Sequence, residues 1–386
     1  MIVLLHCFFG WRTKFGHPPS YNSADLSGDR LELIFHNLAF GVDIFFLISG
    51  FLITYLLLSE HEKTGKVDVL KFYIRRAFRI WPLYFFMILT APLLSYFFFE
   101  QSPDYSLQFL FLGNFDIINQ GMKSVSTNHL WSICIEEHFY LFCPLLIAFV
   151  PVKKLPQFLF GIIVLSILFR AYMAWNTLNY GMALYVNTLS RIDVLAIGSL
   201  FGWMHYNKKL SFNSPLSIRL MIYGIFLFIF LNVDYAECGT LFTATIKKYF
   251  FVLMAAFAIG NFLFHPKPII KIHKPNFLHH LGKASYGIYM FNPVIVFLAL
   301  KFFASNNVSN YLIYFATVNV AVLILSLLSY NFFEMPFLAL KEKYAVIKSG
   351  DSINTNETSK SDKDSSNLQE RVVPVNHIAV PTPQPN

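Results

Sequence analysis

The sequence predicts an all-α, polytopic transmembrane bundle of about ten helices, and three observations carry that class. Hydrophobic residues make up 55% of the chain and charged residues only 13%, whereas a soluble domain carries roughly 25% charged residues to face water. Apolar runs long enough to cross ~30 Å of hydrocarbon recur along almost the whole length. Between those runs, Lys and Arg crowd into alternate loops, as the positive-inside rule requires. The mean hydropathy of +0.51, the 44 Phe and the 20 Tyr fit the same class, with apolar rings in the span and amphipathic rings at the interface.

Taken in order, spans are expected near 38–58, 80–99, 130–150, 157–175, 185–205, 217–233, 249–265, 284–304 and 311–333. Residues 1–11 form a tenth apolar run, too short to cross alone. It lacks the basic n-region and small-residue cleavage site of a signal peptide, so it is expected to be the end of a truncated first helix. With the N-terminus cytoplasmic, the inside loops hold eighteen Lys and Arg and the outside loops seven. The expected location is a bacterial inner membrane, with both termini cytoplasmic. Residues 345–386 turn to Ser, Asn, Asp and Lys and then to Pro. They bury too little apolar surface to offset the entropy of ordering, so a disordered cytoplasmic tail is expected after a single membrane domain, 1–344.

Composition also excludes. A net charge of +8 does not make a nucleic-acid binder here, because the basic residues sit in short loops between apolar runs. Cys7, Cys134, Cys143 and Cys238 lie in or beside apolar segments without CxxC spacing. They read as small buried hydrophobes, not as a disulfide framework or metal site.

Ionisable groups inside a span are costly, so each needs a reason. Glu136 and Glu137 stand early in HLWSICIEEHFYLFCPLL. Adjacent carboxylates point about 100° apart on a helix, so one of them faces the bundle interior or a cavity; an interfacial helix start is the other reading. His6, near the end of the first run, is either structural or a general base working near neutral pH. Arg75, Arg76 and Arg79 in FYIRRAFRIWPLYFF are expected where a cytoplasmic loop enters the third helix. At i,i+3 and i,i+4 spacing they share a face, and guanidinium forks suit phosphate oxygens; headgroup anchoring is the alternative. Asp43 stands at the edge of the apolar run in GVDIFFLISGF, where Gly41, Ser49 and Gly50 suit close helix packing. Arg191 and Asp193 in SRIDVLAIG pair with each other or with a ligand.

Together these segments resemble the acyltransferase-3 family of membrane-bound enzymes that O-acylate surface polysaccharides. GVDIFFLISGFLITYLLLSE is similar to the family's second helix, and Arg76 and Arg79 match its Arg-x-x-Arg pair. LWSICIEEHFYLFCPLL, beginning near Trp131, is similar to its Trp-Ser-x-x-x-Glu-Glu-x-Phe-Tyr helix. SRIDVLAIGSLFGW, LGKASYGIYMFNPVI with Asn292, and SYNFFEMPF with Glu334 follow in the family's order. The resemblance runs from about residue 1 to 344.

The resemblance implies an acyl-CoA donor, usually acetyl-CoA, bound from the cytoplasm with its phosphates at Arg76 and Arg79, and Arg75 beside them. It makes His6 the base near the point of transfer, and we assign Glu137 the catalytic role within the glutamate pair. The implied acceptor is a hydroxyl of a surface glycan or lipid-linked glycan at the outer face. No permanently bound cofactor and no metal are expected, and the partners beyond substrates are membrane lipids. Two features depart from the family pattern. The family places an Arg or Lys about ten residues before this histidine, whereas the chain begins five residues before His6, so a start lying upstream is expected; and Asn292 stands where the ninth-helix block commonly has a His. Asn can hydrogen-bond but cannot exchange protons at neutral pH.

Two other classes compete. A lipid-linked sugar transporter predicts paired repeats, broken helices and a charged central pathway, and none is evident in the sequence. A glycan polymerase would draw on the outer loops, about 12–37 and 100–129, which carry His17, Asp25, Asp29, His36, Asp104, Asp116 and His129.

Overall fold

The nine longer apolar runs all fold as helices. The computed structural model describes residues 1–16, 26–99, 103–176, 181–235, 240–269 and 277–344; the expected tail at 345–386 lies outside them. The longer helices are α1 (Ile2–Phe15), α2 (Leu26–Asn37), α3 (Gly41–Thr64), α4 (Val69–Leu94), α5 (Trp131–Phe149) and α6 (Leu155–Asn176). They continue as α7 (Thr188–Tyr206), α8 (Leu216–Asn232), α9 (Lys247–Phe264), α10 (Phe277–Ser305), α11 (Tyr311–Leu328) and α12 (Met335–Glu342). No strand occurs among the described residues. Among the described residues, eight helical stretches are long and apolar enough to cross a membrane, and α8 is a shorter apolar helix. With α1, of 14 residues, they form an integral membrane bundle of the expected class.

Three boundaries differ from expectation. The third span begins at Val69, so the three arginines lie within α4 and not in a loop leading to it. Its start is set by Asp68, whose carboxylate accepts the Lys71 backbone N–H at 3.0 Å and meets the Lys71 ammonium at 3.1 Å. Those contacts, the backbone bond first, hold the Asp68 carboxyl below its usual range. The sixth span is broken: Gly181–Val186 is a separate short helix, and Asn187 caps α7 by accepting the Leu189 N–H at 2.8 Å. Part of the expected 12–37 loop is α2, which continues through a 3-10 turn into α3.

The tightest crossing is α3 against α7. A Cβ on Gly50 would meet the Leu195 carbonyl, and one on Gly198 the Leu47 carbonyl. Gly198 and Gly202 are four residues apart on α7, a small-xxx-small pair that admits the neighbouring backbone. The Ser199 hydroxyl donates to the Gly50 carbonyl at 3.2 Å. This close approach sets Asp43 of α3 beside Arg191 of α7.

Candidate functional site

A cavity of about 1090 Å³ opens between α1, α10, the segment leading into α5 and the short helix Gly181–Val186; His6, His129, Trp131, Tyr185 and Tyr289 are on its wall. His6 sits there because α1 packs along α10. Its Nδ1 is 2.5 Å from Asn292 Oδ1. Pro293 explains the orientation of that amide. Lacking an N–H, Pro293 leaves the Tyr289 carbonyl, four residues back, without its helical partner. The Asn292 Nδ2 donates to that carbonyl at 2.7 Å and to the Ile288 carbonyl at 3.1 Å. The amide oxygen therefore faces His6, whose Nδ1–H donates to it, and Nε2 is left as the accepting nitrogen of a ring on the cavity wall.

From the cavity a line of polar side chains runs along one face of α5. Ser132, Glu136 and Tyr140 follow at i,i+4 spacing. The Tyr289 hydroxyl donates to the His129 carbonyl at 2.7 Å and lies 2.5 Å from the Ser132 hydroxyl. Glu136 is buried and reaches the hydroxyls of Ser49 and Tyr140, which also bond to each other. The Arg76 guanidinium stacks 5.3 Å from the Tyr140 ring centroid and 5.4 Å from that of Phe72. Trp131 to Tyr140 spans about 14 Å of helix axis. Glu136 belongs to this line; Glu137 instead accepts the Trp81 indole N–H at 3.1 Å. Neither carboxylate is among the cavity's lining residues.

The arginines separate by partner. Arg75 bonds Glu60 at 2.7 Å and the Tyr344 carbonyl at 2.9 Å. Arg76 and Arg79 make no hydrogen bond or ion pair with a described residue. Lys341 of α12 lies within electrostatic range of both. Glu334 is buried in a π-helical turn, Ser329–Glu334, where the Ser329 hydroxyl donates to it at 3.0 Å.

Arg191 and Asp193 do not pair with each other. One turn cannot point both at the same place, and each has a partner on another helix. Arg191 meets Asp43 at 2.8 Å; Asp193 meets Arg170 at 2.9 Å, Lys248 at 2.8 Å and the Tyr249 hydroxyl at 2.5 Å. Arg191 also lies 5.7 Å from the Trp131 ring and 5.4 Å from that of Tyr185, so this buried network backs the cavity wall. Arg170 and Lys248 were not singled out from the sequence, though a lone Arg within ILFRAYMAW was a signal of a buried partner.

The outer-loop residues do not converge. Asp104 accepts from Ser106 at 2.9 Å, Asp116 from Gln120 at 2.8 Å, and His36 lies 3.2 Å from Asp234. His17, Asp25, Cys238 and the Asp29 side chain lie outside the described residues. Of the described members of that set, His129 alone reaches the cavity. Cys7, Cys134 and Cys143 are buried and free.

Comparison with known proteins agrees with this arrangement. The acyltransferase-3 family, described as an acyltransferase domain, matches residues 1–331. The O-acetyltransferase OatA of Staphylococcus aureus strain NCTC 8325 / PS 47 is 28% identical over 316 residues, covering 77% of this chain and 52% of OatA. OatA of strains COL and MRSA252 gives the same values. The chain thus spans about half the length of the curated relatives it matches. No solved structure matches it. A match over residues 1–331, on a bundle whose polar line runs from Arg76 to the wall of the His6 cavity, means that this chain belongs to the acyltransferase-3 family.

Proposed function

We propose that the protein is a membrane O-acetyltransferase that moves an acetyl group from cytoplasmic acetyl-CoA to a hydroxyl of an extracytoplasmic glycan or lipid-linked sugar. One observation carries the reading: the unpaired Arg76, with Arg79 one turn further along α4, stacks on Tyr140 at one end of the Ser132–Glu136–Tyr140 line, whose other end meets Tyr289 of the His6 cavity. Two unpaired guanidinium groups side by side suit the phosphates of a CoA. The thioester arm would then extend along α5, past Glu136 and Glu137, toward the cavity. There the acceptor hydroxyl attacks the acyl carbonyl carbon and gives its proton to His6 Nε2. The carbon–sulfur bond breaks, and the proton passes to the departing sulfur, leaving an ester and CoA thiol. Aromatic walls at Trp131, Tyr185 and Tyr289 suit the apolar faces of a sugar ring. The name of the OatA relatives supports acetyl as the group moved. We assign residues 1–344 to this module in a bacterial inner membrane and 345–386 to a cytoplasmic tail.

Isothermal calorimetry on the purified protein in nanodiscs is expected to detect acetyl-CoA binding that the Arg76→Ala, Arg79→Ala double variant loses by about 100-fold or more, each charge-assisted contact contributing about 1.5–3 kcal/mol. Arg75→Ala, whose guanidinium serves Glu60, should keep most of the affinity. Undiminished binding in the double variant overturns the donor site.

A further inference from the structure

The two imidazoles on the cavity wall are held differently. His6 is tied through Nδ1 to Asn292. His129 is only 7% exposed, yet neither of its ring nitrogens has a hydrogen-bond partner among the described residues. The Met290 carbonyl approaches the ring without reaching hydrogen-bond geometry. Buried polar groups in native folds are nearly always paired, and an exception calls for an explanation such as a catalytic role. Packing does not supply one, because the surroundings fix the residue without using the ring nitrogens. Its carbonyl takes the Tyr289 hydroxyl, and its ring packs edge-on against Tyr289 at 5.4 Å. Its neighbour Asn128 is pinned by the Ser124 N–H at 3.0 Å. The ring is therefore unpaired, held in place through its carbonyl and its packing on Tyr289, and lines the same cavity as His6.

We propose that His129 is a second catalytic residue, whose ring N–H bonds the acyl carbonyl oxygen as that oxygen gains negative charge. The proposal rests on the acyl-transfer reading above. The acceptor oxygen bonds to the carbonyl carbon, the hydroxyl proton goes to His6 Nε2, and the carbonyl oxygen becomes an oxyanion held by His129. When the C=O re-forms, the C–S bond breaks and the sulfur takes the proton from His6. A donor fixed in place before the reaction has no reorganisation to undergo, which is why such donors act strongly in water-poor sites. Tyr289 is not available for the task, since its single hydroxyl proton is given to the His129 carbonyl.

The test is thiol release from acetyl-CoA by the purified full chain in nanodiscs, with water or added chitotetraose as acceptor. Acetyl-CoA binding is measured alongside as a check on folding. His129→Phe, which keeps a ring but no donor, is expected to lower kcat about 100- to 1000-fold with the acetyl-CoA Kd unchanged. His129→Gln keeps an N–H and should recover at least about tenfold of that loss. A Phe variant within about threefold of wild type overturns the proposal, as does a Gln variant no better than Phe or a loss confined to KM. A wild-type chain that binds acetyl-CoA and releases no thiol overturns the functional reading, and the role of His129 with it.

Discussion

Asn292 shows how one residue sets the chemistry of another. The missing N–H of Pro293 gives its amide a donor's task, and the amide oxygen then sets which nitrogen of His6 carries the proton. Orienting partners of this kind typically account for 10- to 100-fold in activity. Asn292→Leu, similar in volume but unable to accept, is therefore expected to slow acetyl transfer by about 10- to 100-fold while acetyl-CoA binding is unchanged. A Leu variant with wild-type kcat would mean that the His6 tautomer is set elsewhere. Residue roles were only partly legible in the sequence. Spacing brought Arg76 and Arg79 together, but it could not separate Arg75 from them, because Glu60 belongs to the preceding helix. His129 read as a loop residue, because its place in the cavity depends on α10 crossing in front of it.

At the scale of helices, the crossing of α3 and α7 has the least room to adjust. Side chains can repack around an added methylene, but the carbonyls that Gly50, Gly198 and Gly202 admit are backbone. Gly198→Leu is expected to separate the two helices, break the Asp43–Arg191 pair and lower the thermal midpoint in detergent by several degrees or abolish folding. A Leu variant that melts with the wild type would show that the crossing is looser than these distances allow. Helix positions were legible because an apolar run has few alternatives in lipid. Helix starts were not. Lys71, Arg75, Arg76 and Arg79 lower the hydropathy of a segment they nevertheless favour as helix, so the sequence reading began α4 about three turns late. The break at Asn187 was hidden for a related reason: the apolar pattern continues across it, and only the Asn cap marks the stop.

For the whole molecule, the lysine distribution makes a claim about sides. Lys14 lines the cavity, and Lys154 is exposed at the loop between α5 and α6. In intact cells a membrane-impermeant maleimide is expected to label Lys14→Cys but to reach Lys154→Cys only after the membrane is opened; the reverse pattern would invert the orientation. The buried network bears on a different property of the same bundle. Among the described residues, Arg170, Arg191 and Lys248 pair with Asp43 and Asp193 behind the aromatic wall. Charges buried this deeply persist only where they are paired. Asp193 alone ties three helices together, since its partners Arg170 and Lys248 stand on α6 and α9, so the wall behind Trp131 is braced by charge as well as by apolar packing.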